Sequence, residues 1–249
     1  MTRHLVIGGA GGIGSSLASK LLERGESVVL AGRTLASLDA AAERLSERHG
    51  DGAKVSTRGL DARDFDAVEA LVGGLAKEEE GLFGLACCAG SIVLKPAHLT
   101  SSSDFHEVLS TNLGTAFASV RAAGRHLSSG GAVVLFSSAA ARFGLANHEA
   151  IAAAKAGIEA LARTAAATYG ARLRVNVVAP GLVDTPLAAR ITGHPRSLET
   201  SVAMHALGRI GTAAEVASLA AWLLGPDAGW VTGQVYGIDG GLGVARGRG

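Results

Sequence analysis

The chain has 249 residues, with Lys+Arg 23 against Asp+Glu 22, a formal net charge of +1, and 48% apolar against 18% charged residues. That length suits one large domain, and so apolar a chain has material for a large core and is not held open by self-repelling charge. No block of like charge offers a footprint for nucleic acid or an anionic membrane surface, and no apolar run reaches the roughly 18–20 residues of a membrane helix.

The first residues carry Arg3 and His4 and run straight into glycines, unlike a secretory leader, so a cytoplasmic protein is expected. From there, short apolar runs alternate with longer Ala/Leu/Glu/Arg-rich segments of helical period. Strands are expected at 4–7, 27–31, 53–57, 83–88, 132–137, 172–178 and 234–238, with helices beginning near Gly12, Leu35, Ala62, Ser103, Asn147 and Thr212. Strands so uniformly apolar suit a parallel sheet covered on both faces. The expected fold is a single doubly wound α/β domain of Rossmann type, about seven-stranded, spanning 1–249.

The first strand opens into Gly8-Gly9-Ala10-Gly11-Gly12-Ile13-Gly14 and then a helix. Backbone N–H groups and a helix N-terminus can there face a pyrophosphate with no side chain in the way. A dinucleotide fingerprint also expects an acid at the end of the second strand, to bind the adenosine ribose. Here that strand ends Ala31-Gly32-Arg33, so a 2′-phosphate would meet a guanidinium instead of a carboxylate, which favours NADP(H) over NAD. After the third strand, Asp61 is placed either to accept from the adenine amino group or to cap the helix near Ala62.

Cys87 and Cys88 lie next to each other on the fourth strand and make neither a disulfide framework nor a zinc set. Cys88 reads as a small buried filler. His98, His106, His194 and His205 show no ligand spacing, and no metal is expected. The rhythm breaks at 184–209, with Pro186, Gly193, Pro195 and Gly208, which reads as a lid or substrate loop.

With these motifs in place, the chain resembles a short-chain dehydrogenase/reductase. The family's Thr-Gly-x-x-x-Gly-x-Gly falls on residues 7–14, with Ile7 for Thr, and its Asn-Asn-Ala-Gly falls on Cys87-Cys88-Ala89-Gly90. Its active-site Asn and Ser match Asn112 and Ser138, and its Pro-Gly turn with a following hydroxyl matches Pro180-Gly181 and Thr185. The resemblance implies a cofactor held along Gly8, Gly11, Gly12, Ile13, Gly14, Arg33, Asp61, Ala62, Ala89 and Gly90. It continues past Asn112 and Lys155 to Pro180, Gly181, Val183 and Thr185. It also implies a homodimer or homotetramer, formed through the fourth and fifth helices and the last strand.

One departure stands out. The family's Tyr-x-x-x-Lys falls on Ile151-Ala152-Ala153-Ala154-Lys155, so the lysine is present and the phenol is not. An isoleucine cannot exchange a proton, a step that ordinarily contributes about 10²- to 10⁴-fold. His148 lies seven residues before Lys155, on the same helical face, and an imidazole ordinarily titrates near neutrality. The enoyl reductase branch of the superfamily keeps its tyrosine at that spacing, so His148 is either a replacement acid or a locally bonded residue at a helix start. Tyr169 lies about 27 Å from Ile151 along a helix and cannot replace the phenol. Tyr236 reads as packing.

The expected activity is NADPH-dependent reduction of a small carbonyl compound, with Asn112, Ser138, His148 and Lys155 as the catalytic set. An enone or imine substrate would need no strong acid and would suit Ile151. The alternative, from another class, is a non-catalytic NADP(H)-binding protein acting as a sensor or partner subunit.

Overall fold

Apolar side chains at alternate positions of the strands point to opposite faces, and each face finds its own layer of helices. The computed structural model describes residues 2–50 and 52–245. Seven parallel strands run in the order β3-β2-β1-β4-β5-β6-β9. They are β1 (Arg3–Ile7), β2 (Ser27–Gly32), β3 (Val55–Gly59), β4 (Gly84–Cys87), β5 (Gly131–Phe136), β6 (Leu173–Pro180) and β9 (Val235–Ile238). Leu5, Ile7, Val29, Leu85, Leu135 and Val177 pack on one face against α3 (Phe65–Lys77), α5 (Thr115–His126) and α6 (Glu149–Tyr169). Val6, Val28, Leu30, Ala86, Val134 and Val178 pack on the other against α1 (Gly12–Glu23), α2 (Leu35–His49) and α9 (Ala213–Leu224). The strand order reverses between β1 and β4, which opens a crevice at the carboxyl ends of the strands.

Several expected boundaries move, each for a local reason. β3 starts two residues later than expected, because Gly50 takes φ +79° and the Ala53 N–H bonds back to Gly50 O, which holds Ala53 in a turn. The helix expected near Ala62 starts at Phe65, because Asp64 is its cap and accepts from the N–H groups of Asp66 and Ala67. Asp61 therefore does not cap it. The helix expected near Ser103 is α4 (Ser102–Leu109), closed at its start by the Ser101–Asp104 capping box. It runs through one wide π turn (Ser110–Gly114) into α5. Asn147 takes φ 65°, the only left-handed non-glycine among the described residues, so α6 begins only at Glu149.

The stretch 184–209 is not irregular. It is bracketed by β7 (Val183–Asp184) and β8 (Gly211–Thr212), which pair in parallel in a second small sheet, and it contains α7 (Ala189–Thr192) and α8 (Pro195–Met204). Strands of two residues leave no periodic trace in a sequence. Among the described residues, no helix is long and apolar enough to cross a membrane.

Candidate active site

The crevice holds two adjoining cavities. The first, of about 300 Å³, lies over the ends of β1 and β2. Gly8 has φ +81°, and a Cβ there would stand 2.9 Å from Ala89 N, while a Cβ on Gly14 would stand 2.3 Å from Gly8 O. Only glycine lets the backbone turn this tightly and pack the helix onto the strand. Gly8, Gly11, Arg33, Asp61, Ala62, Ala89 and Gly90 line the cavity together, with Thr34 and Ser37 beside Arg33. No ion pair engages Arg33 among the described residues, and a 2′-phosphate bound beside it would meet guanidinium and hydroxyl donors. The Asp61 carboxylate is gripped by Arg63 at 2.7 and 3.0 Å, and that bond holds its pKa down to about 2. The cradle fits a dinucleotide phosphate, as the glycine pattern requires.

The second cavity, of about 430 Å³, is lined by Ile13, Ala89, Gly90, Ser138, His148, Ile151, Lys155, Pro180, Gly181, Val183 and Thr185. Ser138 lies two residues past the end of β5, caps a short 3-10 turn and accepts from the Ala140 N–H at 3.2 Å, so its own hydroxyl proton is available to a ligand. Lys155 Nζ donates to Phe136 O at 2.9 Å, and burial pushes its ammonium down to about 8. His148 donates from Nδ1 to Ala146 O at 2.8 Å, since a carbonyl can only accept, and this leaves Nε2 as the ring nitrogen free to bind or exchange a proton. Ile151, 5% exposed, forms part of the cavity wall and packs with Val108, Ala150 and Ala154.

Three expected residues line neither cavity. Gly12 and Gly14 serve backbone packing at the start of α1, Gly12 lying under Thr185. Asn112, 1% exposed, sits in the π turn, donates to Ser91 Oγ and Val108 O at 2.9 Å, and accepts from Ser91 N. It ties the turn to the segment after β4. Among the described residues no group of His, Cys, Asp and Glu gathers to hold a metal. Cys88, expected as a small buried filler, is only half-buried and lines both cavities, and desolvation there pushes its thiol far up. Tyr169 lies against Gly124, and Tyr236 makes an edge contact with Trp222.

Sequence reading missed other parts of the site. His205 is 3% exposed, lines the second cavity, donates from Nδ1 to Ser201 O and accepts from Leu182 N at 3.2 Å. It thereby pins the end of α8 to the Pro180-Gly181 turn. Nothing in the sequence marks it, because its partners are backbone atoms, one of them 23 residues away in the chain. Ser137 and Glu159 were also missed. Ser137 Oγ donates to Lys155 O and to Glu159, which in turn takes Arg142 Nε at 2.9 Å, binding the Ser138 segment to α6.

Residues 8–243 match the profile of a family described as enoyl-(acyl carrier protein) reductase. A short-chain dehydrogenase/reductase of Pyricularia oryzae is 35% identical over 94% of this chain and 89% of its own length. The cis-4-hydroxycyclohexanecarboxylate dehydrogenase of Sinomonas cyclohexanicum is 36% identical over 95% and 94%. A solved short-chain type dehydrogenase/reductase from Mycobacterium ulcerans superposes with a TM-score of 0.93 at 30% identity, covering 99% of this chain and 91% of that one. A variant of actinorhodin polyketide ketoreductase, solved with NADPH, has a TM-score of 0.89 at 26% identity, covering 98% of both.

Proposed function

The chain belongs to the short-chain dehydrogenase/reductase family, and from that premise we propose that it is an NADP(H)-dependent reductase of small carbonyl-type compounds that works without the family's tyrosine. The observation that carries this reading is that Ser138, His148 and Lys155 line one cavity, which adjoins the glycine-cradled groove. Reduced nicotinamide, when bound, supplies the hydride. Arg33, Thr34 and Ser37 select the 2′-phosphate, and Thr185 and the Pro180-Gly181 turn support the nicotinamide end.

Ser138 donates its free hydroxyl proton to the substrate oxygen, where negative charge develops. Lys155, fixed by Phe136 O, holds the ribose and adds positive charge close to that oxygen. His148, with Nδ1 tied to Ala146 O, delivers the proton from Nε2 in its imidazolium form. Apolar Ile151 keeps water from the place where a phenol would otherwise stand. Enones and imines suit this arrangement better than plain ketones, because their reduction puts less charge on a localised oxygen.

His148→Ala should lower kcat about 10²-fold while weakening NADPH binding far less, measured by steady-state rates beside a fluorescence titration. Unchanged turnover removes His148 from the mechanism. Ile151→Tyr should raise ketone reduction if the rest of the relay is complete. The burial of apolar Ile151 favours one second reading, a protein that binds NADP(H) without turning it over. Tight NADPH binding with no turnover of ketones, quinones, enones or cyclic imines would support it. We also propose that the protein is a homo-oligomer, a reading supported by exposed Phe105 and Phe117 on α4 and α5 and by exposed Ala153, Ala156 and Ala160 on α6.

A further inference from the structure

The cavity beside Ser138 does not end at its apolar walls. Ile92, Leu94, Leu187, Ile191 and Ser201 line it and also line an open recess of about 740 Å³ beyond it, so the two spaces adjoin. Among the described residues, Lys155 is the one lysine or arginine that lines the inner cavity, and no aspartate or glutamate lines either space. The recess is different. Arg190 from α7 and Arg196 from the first turn of α8 both face it, with Ser197 and Thr200 between apolar neighbours. Neither arginine makes an ion pair or a side-chain hydrogen bond to any described residue, whereas Arg209, beyond the end of α8, is bound to Glu215 at 2.6 Å. Two guanidiniums on one recess repel each other, and the N-terminal end of α8 adds partial positive charge beside Arg196. An anion relieves that repulsion and uses their planar donor faces.

Scale leads to the same place. The inner cavity must hold the nicotinamide as well as the reacting group, so the rest of a substrate of any length passes Leu187 and Ile191 into the recess. We propose that the substrate is an apolar carbonyl compound with an anionic group, carboxylate or phosphate, on the end remote from the reacting carbon, and that Arg190 and Arg196 hold that group. The assignment rests on the reductase reading above and narrows its substrate class. Ser197 and Thr200 supply neutral donors at the same place, and Ile92, Leu94 and Leu187 form the apolar passage between.

The test uses methyl hexyl ketone and two analogues that carry a carboxylate or a phosphate on the terminal carbon of the longer arm. Turnover with NADPH and calorimetric binding to the NADP+-loaded protein are both read. The expected result is that at least one anionic ketone exceeds the neutral one by about tenfold or more in kcat/KM and in affinity, and that rising salt shrinks this advantage. The double variant Arg190→Ala/Arg196→Ala should abolish the ratio, while Arg44→Ala/Arg48→Ala, which removes the same charge from α2, should leave it. A larger gain with the phosphate assigns a phosphorylated substrate, and a larger gain with the carboxylate assigns an acid. Equal handling of neutral and anionic ketones, an advantage that survives the double variant, or no binding of any of the three overturns the proposal. Binding with the anionic advantage but no turnover would leave the anion site standing and remove plain ketones from the reductase reading, and the same anionic chains carrying an enone or imine would then decide between reductase and non-catalytic binder.

Discussion

The two cavities are built from different materials. The nucleotide end is mostly main chain: the Gly8 N–H reaches Ala31 O at 2.7 Å, and Gly14 lies against Gly8 O with no room for a methyl group. The substrate end is mostly side chain, gathered from the ends of β5 and β6, the start of α6, and α8. Main-chain geometry admits few residue types at each position, so the first end is strict residue by residue. A wall of Leu, Ile and Met accepts many substitutions of similar volume, so the second end is free to change its ligand.

The contrast is broken most severely at Gly14. Gly14→Ala places a methyl group 2.3 Å from Gly8 O and should cost 100-fold or more in NADPH affinity, read by fluorescence titration, about a two-order loss that far exceeds what one cavity wall residue controls. Ile191→Ala, at the other end, should change KM by only a few-fold for small substrates. Next in size is Ser138→Ala, which removes the donor to the developing charge. It should lower kcat/KM by about 10²- to 10³-fold, with a much smaller effect on the NADPH dissociation constant.

Arg33→Ala follows. Loss of a charge-assisted contact to the 2′-phosphate is worth about 1.5–3 kcal/mol, so NADPH affinity should fall roughly tenfold or more while NADH affinity moves little. Equal losses for both cofactors would show that Arg33 does not read the 2′-phosphate. The last effect is one of pH. Burial brings Lys155 down from 10.5 to about 8, so between those values the unfolded chain binds more protons than the folded one. Lys155 therefore adds stability as pH rises through that window, and penalises the fold fully below it. Urea midpoints of the cofactor-free protein should show this rise in the wild type, and Lys155→Met should flatten it.

The same division explains what the sequence discloses. The α/β alternation and the glycine turn are local, and they are readable because the strands are uniformly apolar and the backbone strain is written in residue type. Arg33 was readable for a similar reason, since a strand end fixes where its side chain begins. His205, Arg190 and Arg196 were not, because α7 and α8 bring them to the cavities across a stretch whose Pro and Gly content reads as loop. Asn112 shows the middle case. Its position after the fourth strand is legible from the family resemblance, but its inward turn toward Ser91 depends on the π geometry, which no propensity marks. Asp61 shows the reverse, a residue whose place was right and whose partner, Arg63 two residues on, was overlooked.

The wide turn at Ser110–Gly114 gives the rod from α4 to α5 two phases on one axis. A residue added to a helical turn rotates everything after it by about 100°, so the face that α4 presents to α6 is not continued by the face that α5 presents to α3. No sequence of single substitutions passes smoothly between the two phases, because the difference is one of count. Deleting a single residue there would leave a helix of nearly the same length and composition, and would still unlock Asn112 from Ser91 and turn a new stripe of α5 toward α3. At this place the molecule keeps time by residue number, and a one-residue indel is a larger change than any replacement.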